Sequence, residues 1–157
     1  MIGSTIFSDN GIFRYELTRS WADGPTWNFI MLNPSTADEN QDDPTIRRCI
    51  NRAKAAGAGS LIVTNLFALR ATDPRMLKQC GDDPIGKHNN EHIQRVVDIS
   101  DVVVCAWGNG GQLYGRSSTV MVWLRCGPLW RIGNRTNEGE PRHPLYLKES
   151  LPLVKHI

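Results

Sequence analysis

Several short motifs that mark common enzyme classes are missing from the chain. It contains no G-x-x-x-x-G-K-[ST] phosphate loop, no G-x-G-x-x-G dinucleotide fingerprint, no G-x-S-x-G nucleophile elbow and no H-E-x-x-H zinc helix. The glycine-rich stretch from Gly108 to Gly111 is too short to predict a nucleotide site. The usual P-loop, dinucleotide, serine-hydrolase and zinc-protease chemistries are therefore not predicted.

The cysteine spacing also gives no support for a metal site. The four cysteines are Cys49, Cys80, Cys105 and Cys126. They include no C-x-x-C pair, so a zinc ribbon is not predicted, and an iron–sulfur cluster is only formally possible. Buried free thiols are the better interpretation for Cys49 and Cys105. His88 and His92 have a spacing that can bind metal, but no third ligand accompanies them. We expect no metal and no cofactor.

No apolar run approaches the roughly 20 residues that a membrane helix needs. The start of the chain, Met1–Thr5, has no basic segment followed by an apolar one, so we expect no signal peptide. With 157 residues, 40% of them hydrophobic and 22% charged, the composition is that of an ordinary globular protein. We expect one domain over residues 1–157, located in the cytoplasm and without a membrane partner.

The net charge of +2 is too small to identify a partner. Between Trp107 and His143, however, basic residues exceed acidic ones. The arginines are Arg116, Arg125, Arg131, Arg135 and Arg142, against Glu138 and Glu140. Such an excess could contact phosphate, but on charge alone a solvated face is the better interpretation.

Apolar runs alternate with helical patterns along the chain. Residues 6–17 predict a β-hairpin around Asn10-Gly11. The predicted strands, buried on both faces, are residues 27–32, 61–64, 101–107 and 129–132. The predicted helices are residues 44–56, about 86–99 and 117–125, and the chain after Ile132 is predicted to be irregular. This alternation predicts a three-layer α/β/α sandwich with a mostly parallel four-stranded central sheet, preceded by the hairpin.

Three of the predicted strands are followed by short polar or glycine-containing loops. These loops begin at Asn33, Asn65 and Trp107. In an open parallel sheet, ligands bind outside the carboxyl ends of the strands. The three loops are therefore expected to converge on one crevice.

The residue types in these loops suggest recognition of a polar ligand. Asn33 either forms a turn or orients a ligand or a water, and Ser35, Thr36 and Asp38 add donors and acceptors nearby. The planar amide of Asn65 matches the edge of a nucleobase, although a capping asparagine is the alternative. Phe67 could stack on a ring. His143, beside Pro144, is either a positioned proton donor or an exposed surface histidine.

Five segments together resemble a bacterial and phage family of unknown function that carries an NPSTAD loop. The segments are Met31–Asp38, Asp43–Cys49, Asn65–Thr72, Ala106–Gly108 and Arg142–Tyr146. The resemblance extends over almost the whole chain, but the family name implies no activity.

The same landmarks, in the same order, more distantly resemble the uracil-DNA glycosylase superfamily. In that superfamily a water-positioning Asp or Asn precedes proline at the end of one strand, as Asn33 precedes Pro34 here. A second strand ends in an asparagine that binds the uracil edge, with an arginine and an alanine shortly after, as at Asn65 and Arg70. A third strand ends in Trp-Gly, as at Trp107, and a late His-Pro loop, as at His143, stabilises charge on the base.

The resemblance implies a uracil-DNA-glycosylase-like fold and a protein that flips a modified or damaged base out of DNA and hydrolyses its N-glycosidic bond. Because an amide is a poor base, Asp38 is a possible substitute for the missing carboxylate. The implied catalytic residues are Asn33, His143 and Asp38, and the implied substrate-binding residues are Pro34, Ser35, Thr36, Asn65, Phe67, Arg70, Trp107, Gly108 and Arg142. Two alternatives remain: a non-catalytic binder of modified DNA or nucleotides, and a hydrolase of a small nucleotide or nucleoside.

Overall fold

The computed structural model describes residues 1–124 and 127–157, and in that part of the chain one sheet has seven strands. The strands are β1 (Ile2–Phe7), β2 (Arg14–Ser20), β3 (Thr26–Met31), β4 (Ser60–Asn65), β5 (Val102–Cys105), β6 (Leu129–Ile132) and β7 (Leu153–Lys155). The α-helices are α1 (Pro44–Ala55), α2 (Met76–Gln79), α3 (Asn89–Ile99) and α4 (Arg116–Trp123), and a 3-10 segment, Asn109–Gly115, precedes α4. The strand order is β1-β2-β4-β3-β5-β6-β7.

The predicted mostly parallel four-stranded sheet is wrong, because the sheet is larger and mixed. The four predicted strands, β3 to β6, do pair in parallel. However, β1 pairs with β2, β2 with β4, and β7 with β6, all in antiparallel orientation. The hairpin is thus part of the sheet. The region after Ile132, predicted to be irregular, contributes β7, whose three residues carry too little pattern to predict a strand.

Helices cover both faces of the sheet, as the sequence pattern predicted. The apolar stripe of α1 (Ile46, Cys49, Ile50 and Ala53) packs with Phe29 and other strand residues in one core cluster. Ile93 of α3 and Val120 of α4 pack in a second cluster with other residues of the sheet. The helix α1 begins where predicted because the Asp43 carboxylate accepts a hydrogen bond from the Ile46 amide at 2.8 Å and Pro44 occupies the first turn.

The other predicted helix boundaries need adjustment. Helix α3 begins at Asn89, three residues later than predicted, because Gly86 has φ +92°, outside the helical region. Helix α4 begins one residue earlier than predicted, at Arg116, and ends at Trp123. Its predicted last residue, Arg125, and the cysteine Cys126 lie outside the described residues.

Two of the free cysteines are buried, as predicted. Cys49 and Cys105 have no disulfide partner, and burial raises the pKa of each thiol above its ordinary value. The third, Cys80, is partly buried. None of the helices in segments 1–124 and 127–157 has the length and hydropathy needed to cross a bilayer.

Acid is expected to destabilise the fold through His156. Burial and the nearby charges of Arg135 and Arg131 lower the pKa of His156 to about 4. Below pH 6.5, the ordinary pKa of histidine, His156 is protonated in the unfolded chain but stays neutral in the folded chain until about pH 4. The free energy of unfolding therefore falls as the pH drops from 6.5 to 4. The free energy of unfolding should fall by about 2 kcal/mol over this range. Urea denaturation at several pH values measures it, and His156→Gln should flatten the slope; equal slopes in both proteins would contradict the assignment.

Candidate functional site

The order of the parallel strands reverses direction at β3, which lies between β4 and β5. The chain leaves β3 towards β4 on one side, whereas it leaves β5 towards β6 on the other. In open α/β sheets, the carboxyl ends of strands at such a switch point form a crevice that binds ligands. Because β3, β4 and β5 are neighbours and parallel, their carboxyl ends meet at this edge, as the sequence predicted.

A cavity of about 410 Å³ lies at this edge, within the ~300–1,000 Å³ range of small-molecule sites. It is enclosed by the ends of β3 and β4, the first turn of α1, the loop around Thr72 and the loop around His143. Five predicted site residues line it, namely Asn33, Ser35, Thr36, Asn65 and His143. The structure therefore brings together side chains that are up to 110 positions apart in sequence.

Asn65 is the most unusual polar residue of the cavity. It ends β4 opposite Met31 of β3 and is 1% exposed. Neither its Nδ2 nor its Oδ1 has a hydrogen-bond partner among the described residues. A buried amide without partners destabilises the fold by about 1–3 kcal/mol, so a group like this is expected where a ligand supplies the missing bonds.

The backbone at Asn65 is held from the opposite face of the sheet. The buried side chain of Asn89 donates to the carbonyl oxygen of Asn65 at 2.8 Å. Arg116, which is also buried, donates through Nε to the carbonyl oxygen of Leu66 at 2.8 Å. These two contacts hold the backbone at the end of β4, from which the Asn65 side chain extends. Arg116 therefore has a structural role and does not belong to a solvated basic face.

The amide of Asn33 joins the two loops on one side of the cavity. Its Nδ2 donates to the carbonyl oxygens of Pro34 at 3.1 Å and Ala71 at 2.8 Å. The Ala71 amide in turn donates to the carbonyl oxygen of Pro34 at 2.9 Å. Only Oδ1 of Asn33 is left for a ligand or a water.

Converting Asn33 to aspartate is expected to destabilise the protein. The carboxylate would place an oxygen where Nδ2 now lies, facing the carbonyl oxygens of Pro34 and Ala71. Loss of these bonds should lower the free energy of unfolding by about 1–3 kcal/mol at neutral pH. Urea denaturation measures the change, and the exposed residue Asn51 supplies the matched control, Asn51→Asp. An Asn33→Asp variant as stable as the wild type would show that the two bonds contribute nothing.

His143 lines the same cavity, on a loop that lies beside Gly108, just after the end of β5. Its Nδ1 accepts a hydrogen bond from the Leu145 amide at 3.3 Å, which leaves Nε2 as the donor of the neutral ring. His143 is an exposed residue, as one of the two sequence interpretations expected, and it also belongs to the cavity lining. Desolvation lowers the pKa of His143, and the carboxylate of Asp43 partly opposes this. The imidazole is therefore neutral at pH 7.

Trp107 and Gly108 make hydrogen bonds to the loop that carries His143. Gly108 has φ +70°, which favours glycine, and its amide donates to the carbonyl oxygen of Pro141 at 2.8 Å. Trp107 is buried, and its Nε1 donates to the Glu140 carboxylate at 2.6 Å. Both residues therefore hold the loop that carries His143, and neither lines the cavity.

Seven predicted site residues lie outside the cavity lining. They are Pro34, Asp38, Phe67, Arg70, Trp107, Gly108 and Arg142. The Asp38 carboxylate accepts hydrogen bonds from the amides of Asn40 and Gln41, which lowers its pKa and makes it a turn-forming residue. Phe67 is fully buried, and Arg70 stacks on Phe7 of the hairpin.

Two charged residues line the cavity without having been predicted as site residues. In the sequence analysis Asp43 appears only in the segment Asp43–Cys49, and Arg14 only as part of the hairpin. The sequence gives no clear signal for Arg14, because β2 also contains Glu16, Thr18 and Arg19. Its burial depends on pairing between β2 and β4, which the hairpin pattern does not predict.

His88, just before α3, and His92, on α3, each contact a glutamate. His92 makes a 2.6 Å contact with the buried Glu16 carboxylate and stacks on Tyr15, whereas His88 lies 3.8 Å from Glu91. Within the described part of the chain, no group of three histidine, cysteine, aspartate or glutamate side chains is placed to hold a metal ion.

A comparison with protein families establishes the relationship of the chain. A family model described as "Protein of unknown function (DUF1643)" matches residues 14–145. The chain belongs to this family. The range that matches the DUF1643 model begins at Arg14 and ends at Leu145, so it includes all the cavity residues named above. Searches of the curated proteins and of the solved structures both found no match.

Proposed function

We propose that this DUF1643 domain binds a nucleobase in the cavity at the ends of β3 and β4, as part of a nucleotide in DNA, and hydrolyses its N-glycosidic bond. The observation that carries the proposal is Asn65, a residue of the cavity lining whose buried side-chain amide has no hydrogen-bond partner among the described residues. One planar amide offers an acceptor and two donors side by side, the complement of a base edge. The uracil-DNA-glycosylase resemblance of the sequence supports the same role.

The other cavity residues fit the chemistry of base release. Hydrolysis breaks the bond between C1′ and the base nitrogen, the base leaves with the bonding electrons, and water supplies the hydroxyl to C1′ and a proton to the base. The neutral Nε2–H of His143 is suited to donate a hydrogen bond to the base as its negative charge develops. Oδ1 of Asn33 holds the water, and the Asp43 carboxylate in the same cavity favours positive charge on the sugar.

The apolar lining fits the flat faces of a base. Met31, Val63, Ile46 and Leu145 line the cavity, and no phenylalanine, tyrosine or tryptophan does so among the described residues. We propose that the base lies between aliphatic side chains, with its edge on Asn65. A base outside a helical stack is needed for this, so a duplex substrate must be flipped or a single strand used.

Base release from a panel of oligonucleotides tests the proposal. Single- and double-stranded oligonucleotides, each with one modified or damaged base, are incubated with the protein, and free base and abasic sites are quantified. We expect release from a small subset, and strong loss of release in a His143 variant. Binding without any base release would contradict the hydrolytic step. Neither binding nor release across the panel, with free nucleosides and nucleotides included, would contradict base recognition itself.

Non-catalytic binding is the second candidate, and one observation favours it. The Asn33 side chain is an amide, which cannot deprotonate water, and both of its donors are committed to backbone carbonyls. In this case the cavity would bind a modified base or a nucleotide, and the protein would recognise it without cleavage. The same panel distinguishes the two functions.

A further inference from the structure

Arg14 lies at an irregularity in the hairpin. Along β1 and β2, Ile6 is opposite Glu16, but the next residue, Phe7, is opposite Arg14. Tyr15 is therefore an extra residue in β2. An extra residue of this kind, a β-bulge, alters which way the following side chains point.

The bulge places Arg14 on the face of the sheet that carries the cavity. In a regular strand, alternate residues share a face, so Arg14 would lie on the same side as Glu16. Glu16 contacts His92 and Arg95 of α3. Arg14 instead donates from Nη1 to the carbonyl oxygen of Ala37 at 2.8 Å and lines the cavity on the α1 side.

A second buried arginine on the same strand shows what is unusual about Arg14. Arg14 and Arg19 are each 3% exposed. Arg19 forms an ion pair with Asp42 at 2.8 Å. The Arg14 side chain has no carboxylate within 4 Å and no hydrogen bond other than that to Ala37 among the described residues. Buried charges are almost always paired, so Arg14 has the environment of a residue that awaits an anion.

The charge of Arg14 persists at neutral pH. Burial lowers its pKa to about 10, and the carboxylate of Asp43 partly opposes this. Asp43 forms no ion pair with Arg14 among the described residues, and its Oδ1 accepts the Ile46 amide at the start of α1. The hydroxyls of Ser35, Thr36 and Thr72 line the same cavity and can add neutral donors.

We propose that Arg14 binds the phosphate of a nucleotide whose base is held by Asn65. The guanidinium group presents paired N–H donors that match two phosphate oxygens. The inference rests on the proposed function for the base, and it adds the ligand class: a nucleotide, bound by base and phosphate together, in preference to a nucleoside.

Comparison of a nucleoside with its phosphate esters tests this without any variant. The nucleoside, its 5′- and 3′-monophosphates and a trinucleotide containing it are titrated calorimetrically, for each base that the wild-type protein recognises. We expect at least one phosphate ester to bind about tenfold or more tightly than the nucleoside. Tighter binding of a monophosphate assigns the phosphate to a free nucleotide, and tighter binding of the trinucleotide assigns it to a nucleic-acid chain. Equal binding of nucleoside and all esters overturns the inference and leaves base recognition intact.

Variants of Arg14 assign the effect to this residue. Arg14→Gln should abolish the tighter binding of the phosphate esters relative to the nucleoside. Arg14→Lys keeps the charge but not the paired donors, so it should retain part of this difference in affinity. The matched control is Arg131→Gln on β6, where the arginine also donates to one backbone carbonyl, that of Lys155. This control should keep the full difference in affinity. If both Arg14 variants still bind the phosphate esters more tightly than the nucleoside, to the same degree as the wild type, the inference is overturned.

Inorganic phosphate separates this inference from the proposed function. We expect millimolar phosphate to raise the melting temperature of the wild type and of Arg131→Gln, but not of Arg14→Gln. If phosphate acts through Arg14 while no nucleoside or nucleotide binds, the anion site stands and the base-binding role of Asn65 fails. If nucleosides bind but phosphate changes the melting temperature of no variant, base binding stands and the anion site at Arg14 fails.

Discussion

Replacing Asn65 with leucine is expected to stabilise the fold and abolish ligand binding at the same time. The leucine side chain has a similar size and removes two buried polar atoms that lack partners among the described residues. The free energy of unfolding should rise by about 1–2 kcal/mol. Affinity for the base should fall by at least about 100-fold, because the groups that recognise its edge are gone. Urea denaturation and calorimetric titration measure the two effects.

The opposite signs of these effects distinguish a functional residue from a structural one. If the Asn65 amide were part of the folding core, its loss would lower stability and leave binding unchanged. The exposed residue Asn51 of α1 supplies the control. Asn51→Leu should change stability by less than about 0.5 kcal/mol and leave binding unaltered. Unchanged base affinity in Asn65→Leu would remove the main support for the proposed function.

Replacing His143 with alanine is expected to slow base release by about 100- to 1,000-fold while substrate binding changes little. The Nε2–H donor interacts more strongly with the departing base anion than with the neutral bound base, so its loss acts mainly on the rate. Single-turnover rates and titrations with uncleaved substrate measure the two effects separately. Similar losses in rate and affinity would show that His143 only binds the ligand.

The wild-type pH profile offers a second test of His143. Because desolvation lowers its pKa, the ring stays neutral as the pH falls through 6.5, the ordinary value for histidine. Protonation at lower pH replaces the Nδ1 acceptor by a donor and breaks the hydrogen bond from the Leu145 amide. Activity should therefore stay level through pH 6.5 and fall only below it. The exposed His88, just before α3, is the control, and His88→Ala should leave the rate and the pH profile unchanged.

Much of the location of the site follows from local patterns along the chain. The apolar runs that became β3 to β6 predicted the buried strands, and Asp43-Pro44 predicted the start of α1. These features predict that asparagines at the ends of β3 and β4 lie at the same edge of a parallel sheet. Asn33, Asn65 and His143 do line one cavity. Local pattern was sufficient here because strand burial and helix capping involve residues close in sequence.

Other features depended on contacts between distant parts of the chain. The addition of β2 and β7 to the sheet, the commitment of the Asn33 amide to Ala71 and the burial of Trp107 against Glu140 all link segments far apart in sequence. So does the placement of Arg14 in the cavity through an extra residue in β2. Residue types and spacing place the ends of strands, whereas strand pairing and its register decide which polar atoms are satisfied within the fold and which are left for a ligand.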